Sequence, residues 1–120
     1  MNDQEIEQEI QDKGLTAPRV TPGDIEANIA GEVYFTAAEG VRGGGPVTGM
    51  YDFREKYAAL GLLTFCVLVL KNGFTVTGES ACISPENFDA EIGRKIARQS
   101  AVQKVWPLMG YALREALSRE

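Results

Sequence analysis

The chain has 120 residues, a mass of 13.1 kDa, 44% hydrophobic residues and 24% charged residues, which predicts one globular domain with a modest core. Its net charge of −5 argues against a nucleic-acid-binding protein, because such proteins neutralise phosphates with Lys and Arg. Residues 1–60 hold 11 acidic and 5 basic side chains, whereas residues 61–120 hold 6 and 7. This asymmetry indicates self-association or docking onto a basic partner surface, and a solvated acidic surface explains it as well.

Several classes of protein are excluded by what the chain lacks. The longest apolar run, residues 60–70, is too short to span a bilayer, and the acidic N-terminus has no apolar stretch typical of a secretory signal. We therefore expect a cytosolic protein without membrane contact. The sequence contains no histidine and only two cysteines, Cys66 and Cys82, which excludes histidine-based triads and makes a zinc site implausible. We predict no cofactor, no metal and two small buried cysteines without a disulfide.

The N-terminal third predicts two helices and a strand. Residues 2–13 form an acidic helix, ended by Gly14, with an apolar stripe of only two isoleucines, so it must pack on a neighbouring element or a second subunit. The second helix begins with Thr21 as N-cap, Pro22 at the first position and Asp24 at the capping-box position, and it ends at Gly31. Residues 32–36 have the composition of a strand.

Residues 37–61 form a glycine-rich segment, which predicts a long variable loop with a short helix over residues 52–59. Arg42 precedes three consecutive glycines, a composition typical of an anion-binding nest, but the Gly-Lys-Ser/Thr ending of a phosphate loop is absent. Tyr51 and Tyr57 lie in the same loop and are candidates for a stacking surface; packing of the short helix explains them equally well.

The next segment predicts a β-hairpin. Asn72 and Gly73 separate two runs of β-branched and aromatic residues, which favours a two-residue type I′ turn and places Cys66 opposite Glu79. In this register Phe74 and Val76 share a face with the odd-numbered residues 63–69. The first strand is apolar on both faces and is therefore predicted to be central.

The C-terminal third predicts two helices separated at Pro107. Ser84 serves as N-cap and Pro85 as the first residue of the main helix, and Pro107 forces a kink or a break. The predicted buried stripe consists of hydrophobic residues at helical spacing: Phe88, Ile92, Ile96, Val102, Val105 and Trp106. The whole chain, residues 1–120, is thus predicted to be a small single α+β domain. Its antiparallel sheet has about three strands built on the hairpin, with N-terminal helices and packing C-terminal helices.

Several motifs carry a family resemblance, which covers about two-thirds of the chain. They are Lys71-Asn72-Gly73-Phe74, Gly78-Glu79-Ser80-Ala81-Cys82, Pro85-Glu86-Asn87-Phe88-Asp89, Glu91-Ile92-Gly93, Trp106-Pro107-Leu108 and Gly110-Tyr111, with a further segment between Ala17 and Gly31. In these motifs the chain resembles the small phage and prophage protein family named after gene product forty-nine of one podophage and gene sixty-six of another. Residues 62–117 are its core. The resemblance implies a phage or prophage origin and the host bacterial cytoplasm, and it supplies no catalytic residues.

The main helix offers two charged clusters. Arg94, Lys95 and Arg98 form a small basic patch that could receive a phosphate or an acidic helix, or simply be a solvated face with a Glu91–Lys95 pair. We expect the acidic N-terminal helix to dock across Arg94 and Arg98, within the chain or from a second subunit. The acidic residues at the helix start, Glu86, Asp89 and Glu91, could bind a hard cation or complement the helix dipole, and we favour the dipole.

These features favour a non-catalytic phage accessory protein that acts by binding a protein partner, one that interferes with a host or anti-phage defence component. An alternative is a protein that sequesters a nucleotide signal, with Arg94, Arg98 and the 42–57 loop binding phosphate and base. A third hypothesis is an acidic mimic of DNA, although −5 is a modest charge for that role.

Overall fold

The computed structural model describes residues 2–43 and 58–120. The helices are α1 (Asp3–Asp12), α2 (Pro22–Asn28), α3 (Ala37–Gly43) and α4 (Ala90–Leu117). The strands are β1 (Ile29–Thr36), β2 (Leu63–Leu70) and β3 (Thr75–Ala81), and a 3-10 turn (Pro85–Asn87) precedes α4. The predicted α+β class is confirmed. Among the described helices, none has the length and apolar character needed to cross a bilayer.

The three strands form one antiparallel sheet in the order β1-β2-β3. The prediction that β2 is central is confirmed, and this position explains why its residues are apolar on both faces. The even-numbered residues of β2, Thr64 to Leu70, are buried under α4, whereas the odd-numbered residues are only half-buried. The core therefore lies between one face of the sheet and one long helix.

The predicted type I′ turn and its register are wrong. The Gly73 N–H donates to the Leu70 carbonyl at 2.8 Å, and the Leu70 N–H donates to the Phe74 carbonyl at 2.9 Å. Gly73 has a φ of 89°, whereas Asn72 lies outside the positive region and its Oδ1 instead accepts from the Phe74 N–H at 2.9 Å. This arrangement is a three-residue loop with a glycine bulge.

The extra loop residue shifts the pairing by one position. Cys66 lies opposite Gly78 rather than Glu79, and Val76 pairs with Leu68. Because side chains alternate along a strand, the shift moves Val76 to the face under α4. Phe74, predicted to share a face with Val76, is exposed at the turn. Cys66 is fully buried, Cys82 is half-buried, and both are free thiols.

The face of α4 that meets the sheet agrees with the prediction at Val105 and differs from it in the first half of the helix. The buried residues are small and spaced one turn apart: Gly93, Ala97, Ala101 and Val105. The predicted Ile92 and Ile96 are exposed. The reason is a close approach of two backbones, because a Cβ on Gly78 would lie 2.2 Å from the Ala97 carbonyl oxygen and 2.3 Å from the Ala101 nitrogen. At that separation only small side chains fit between α4 and β3, and the isoleucines are displaced to the flank.

The predicted start of the main helix is wrong, and of the two alternatives predicted at Pro107, a kink or a break, the break is wrong. Ser84 precedes the 3-10 turn without a side-chain cap hydrogen bond, and Asp89 is the N-cap of α4, accepting from the Ile92 N–H at 3.0 Å. Helix α4 then continues through Pro107 as one 28-residue helix. Pro107 has no N–H to donate to the Gln103 carbonyl, so one helical hydrogen bond is missing. Both residues are exposed, so water can donate to that carbonyl instead.

The N-terminal predictions agree more closely with the structure. Helix α1 is present, and Gly14 follows it with a φ of 69°. The capping box of α2 is confirmed in full, with Thr21 and Asp24 each accepting from the other's backbone N–H. Helix α2 ends at Asn28 rather than Gly31, because β1 already begins at Ile29.

The predicted loop 37–61 contains a helix that the sequence analysis missed. Helix α3 follows β1 directly, and a second capping box begins it: the Thr36 hydroxyl accepts from the Glu39 N–H, and the Glu39 carboxylate accepts from the Thr36 N–H. The signal was the Thr-x-x-Glu spacing, which the glycines obscured. Residues 58–60 are helical, and the rest of the predicted 52–59 helix lies outside the described residues.

Candidate functional site

Arg98, predicted to bind a phosphate or an acidic helix, forms a structural ion-pair network. Its guanidinium contacts Glu26 of α2 and Glu32 of β1, each at 2.7 Å, and the Tyr34 hydroxyl also donates to Glu32 at 2.8 Å. These carboxylates raise the pKa of Arg98, and the hydrogen bonds from Arg98 and Tyr34 lower the pKa of Glu32. Arg98 thus joins α2, β1 and α4 through its two carboxylate partners. Because these carboxylates balance its positive charge, Arg98 does not attract an external phosphate.

The first turn of α1 shares a cavity with Arg98, but no ion pair joins α1 to Arg94 or Arg98 among the described residues, so the predicted electrostatic docking within the chain is wrong. Glu7 of α1 binds Arg19 through both carboxylate oxygens, with the Nη2–Oε2 distance at 2.8 Å. The Trp106 indole N–H donates to Asp3 at 3.2 Å. The hydrogen bond from Arg19 is the main reason that the pKa of Glu7 falls to about 2. Docking of α1 from a second subunit stays a prediction.

The other candidate residues are not gathered into one patch. Lys95 lies 3.4 Å from Glu91 as an exposed pair on α4. Arg42 and Arg94 approach Glu39 from different helices: hydrogen bonds from Thr36 lower the pKa of Glu39, and the two arginine charges lower it further. The remaining candidates, Tyr51 and Tyr57, lie outside the described residues.

A cavity of about 330 Å³ lies where the first turns of α4 meet the end of the hairpin. Its apolar walls are Leu62, Ile83, Phe88, Ile92 and Ile96. Three of them are large hydrophobic side chains in contact with water: Ile83 is 96% exposed, Ile92 55% and Ile96 48%. We call this cavity the isoleucine cleft. The sequence analysis missed it because Ile92 and Ile96 were assigned to the core by their helical spacing.

Acidic residues border the isoleucine cleft. Asp89 lines the cavity while its carboxylate caps α4, and Glu86 is exposed in the 3-10 turn beside it. In the two described stretches, no group of three or more His, Cys, Asp or Glu side chains is arranged to hold a metal ion. The Asp89 carboxylate complements the helix dipole as the N-cap of α4 and makes this border of the cleft negative.

A second cavity, of about 310 Å³, lies on the other side of Thr64 and Phe88, which line both cavities. We call it the Arg94 cavity. Arg94 and Glu39 supply its charged groups, and its aromatic lining consists of Tyr34, Phe35 and Phe88. Thr64 is 3% exposed, and its hydroxyl oxygen has no hydrogen-bond partner within the described part of the chain. Buried hydroxyls are usually hydrogen-bonded, so this one is unusual.

The family model described as the Phage protein (N4 Gp49/phage Sf6 gene 66) family matches residues 20–117. The chain belongs to this phage protein family. The matched range confirms the predicted resemblance and includes every residue that lines the two cavities, whereas α1 precedes it. No curated protein and no solved structure matches the chain.

Proposed function

We propose that this phage protein is a non-catalytic accessory protein that acts in the host cytoplasm by binding a protein partner at the isoleucine cleft. The observation that carries the proposal is the group of three exposed isoleucines around one cavity. Clustered exposed hydrophobic residues beside a pocket are typical of interaction sites, because an inserted side chain of the partner removes that apolar surface from water. Binding would block a host or defence component by occupying its surface.

The charge around the cleft favours a particular kind of partner. Asp89 lines the cleft, Glu86 is exposed in the adjoining 3-10 turn, and the protein as a whole carries a net charge of −5. A complementary surface has an apolar side chain to fill the cavity and Lys or Arg residues beside it. Opposite charges increase the rate of association and select against acidic partners.

The most strongly perturbed charged groups of the described residues have structural roles. The most perturbed carboxylate, Glu7, and the most perturbed arginine, Arg98, both lie in ion pairs that join structural elements. Such pairs account for the perturbation without a catalytic role. The engagement of Arg98 also weakens the nucleotide hypothesis in its two-arginine form. Glu7, Glu26 and Glu32 are paired with arginines, so these three carboxylates do not contribute to an unpaired acidic surface that could imitate DNA phosphates.

The test is capture of the partner from infected host cells by the tagged protein and by cleft variants. We expect a partner that is retained by the wild type and lost by Ile83→Glu and Ile92→Glu, because a carboxylate cannot enter an apolar contact without a desolvation cost. Phe74→Glu is the matched control, since Phe74 is an exposed hydrophobic residue at the hairpin turn, outside the cleft. Equal capture by the wild type and both cleft variants would overturn the proposal, as would the absence of any specifically retained protein.

A further inference from the structure

We propose that the Arg94 cavity is a separate small-molecule site and that its ligand is a nucleoside monophosphate. The assignment is independent of the proposed protein partner, because it invokes a different ligand and its charged residues, Arg94 and Glu39, line only this cavity, although Thr64 and Phe88 line both. It also differs from a site that uses both Arg94 and Arg98, since only Arg94 lines this cavity.

The first argument is the state of Arg94. Arg98 is held by hydrogen bonds to two carboxylates, whereas Arg94 has no hydrogen bond or close salt bridge to a described residue and interacts with the Glu39 carboxylate only through its charge. Ala90, the first residue of α4, also lines the cavity, but the Asp89 carboxylate already caps this helix end, so the positive charge available to a ligand is that of the Arg94 guanidinium. A guanidinium fork favours a phosphate group.

The second argument is the Thr64 hydroxyl. Its oxygen is the one buried side-chain nitrogen or oxygen without a partner in residues 2–43 and 58–120. Thr64 lines the cavity at the wall that it shares with Phe88, and a built Cβ on Gly93 would lie 3.0 Å from the Thr64 hydroxyl oxygen. The oxygen is covered in this structure, so a polar edge of a ligand supplies the missing hydrogen bond only after the Thr64 side chain rotates toward the cavity.

The third argument is the lining between these two polar groups. Tyr34 and Phe88 provide aromatic surface against which a planar base can pack, whereas the Phe35 ring lies on the opposite face of the sheet against Phe65. The lowered pKa of Glu39 keeps its carboxylate ionised at neutral pH, so it can accept a hydrogen bond from a base N–H. The volume of about 310 Å³ is at the lower end for ligand sites, which favours one nucleotide unit over a dinucleotide.

The experiment is titration calorimetry of the full chain with 5′-AMP and 5′-GMP, with the nucleosides and inorganic phosphate as separate probes. We expect at least one monophosphate to bind more tightly than its nucleoside and than phosphate, and its affinity to fall as salt rises. Arg94→Ala should weaken binding by about tenfold or more, because a charge-assisted pair is lost. Lys95→Ala is the matched control: it removes the same charge from the neighbouring position and should leave binding within about twofold.

Thr64→Val separates a ligand-binding role of the hydroxyl from a purely structural one, because a structural role alone would change stability without weakening nucleotide binding. The substitution should raise the melting temperature of the free protein, because an unpaired buried hydroxyl is removed, and should also weaken nucleotide binding. No binding of either monophosphate at about 1 mM, or equal binding of phosphate alone, would overturn the assignment. Equal losses in Arg94→Ala and Lys95→Ala would do the same. The Arg94→Ala protein should still capture the protein partner, so failure of this site and failure of the isoleucine cleft are distinguishable.

Discussion

Replacement of Gly78 by alanine should be among the most destabilising single-methyl changes in this protein. Gly78 lies on β3 opposite Cys66, where the backbone of the strand meets the backbone of α4. A Cβ at this position would lie 2.2 Å from the Ala97 carbonyl oxygen, 2.3 Å from the Ala101 nitrogen and 2.9 Å from the Ala101 Cα. All three atoms belong to the helix backbone, so no rotamer change of a side chain can relieve the overlap.

The size of the effect follows from how far the helix must move. Ordinary contact at about 3.2 Å or more requires β3 and α4 to separate by roughly 1 Å, in a core packed at crystal-like density. That separation loosens the contacts of Cys66, Leu68 and Val105, which are completely buried. Overpacking costs about 1–3 kcal/mol, and the loosened contacts add to it, so we expect a loss of about 3–4 kcal/mol. A domain of this kind has a total stability of about 5–15 kcal/mol.

The assay is urea unfolding followed by circular dichroism and by the fluorescence of Trp106, the single tryptophan. Two other glycines calibrate it. Gly110 lies inside α4 with no atom within 4 Å of a built Cβ, so Gly110→Ala should stabilise the protein by up to about 1 kcal/mol. A Cβ on Gly93 would lie 3.0 Å from the Thr64 hydroxyl, so the helix-propensity gain and the crowding should nearly cancel in Gly93→Ala.

The expected order of stability is therefore Gly110→Ala, then Gly93→Ala near the wild type, then Gly78→Ala well below it. If Gly78→Ala unfolds within about 1 kcal/mol of the wild type, the close backbone contact between β3 and α4 is wrong. A Gly78→Ala protein that fails to fold at all agrees with the argument only if Gly93→Ala and Gly110→Ala fold normally. Failure of all three would indicate a cause other than this contact.

Three further outcomes are expected. Thr64→Val should raise the free energy of unfolding by about 1 kcal/mol in urea titrations, because it removes an unpartnered buried hydroxyl; a clear loss of stability would contradict this. The Glu7–Arg19 pair holds the pKa of Glu7 at about 2, below its ordinary 4.5, so its stabilisation is complete above pH 4.5 and is lost as the pH falls toward 2. The difference in unfolding free energy between the wild type and Glu7→Gln should shrink over that range, and a constant difference would refute the pairing. Iodoacetamide should label Cys82 in the folded protein and Cys66 only after unfolding, since burial raises the pKa of the Cys66 thiol. Mass spectrometry locates the label, and rapid labelling at both positions would contradict the burial of Cys66.

The two proposed sites share a wall, because Thr64 and Phe88 line both the isoleucine cleft and the Arg94 cavity. Neither residue was a candidate in the sequence analysis. Thr64 was one member of an apolar strand pattern, and Phe88 was assigned to the buried stripe of a helix. The position of both at the junction of α4 and the hairpin depends on how those elements pack, so local sequence patterns contain no signal for it.

The sequence by itself determined the features that depend on a few neighbouring residues. Thr21, Pro22 and Asp24 specify the start of α2, because a capping box is a contact between residues three apart. The apolar residues on both faces of β2 specify its central position, because only a strand with neighbours on each side and a helix above can bury them. The family motifs are likewise local, and residues 20–117 match the family model.

Only the tertiary structure decided the features that depend on distant residues or on small differences between local conformations. One extra loop residue at Asn72–Gly73 changed the pairing along the whole hairpin, because both turn types suit the same two residues. The small-residue face of α4 was selected by Gly78, which is distant in sequence from Ala97 and Ala101. Likewise, Arg98 became structural through carboxylates 66 and 72 residues away. Close backbone approach and ion pairing are properties of two packed elements, and neither element specifies its partner alone.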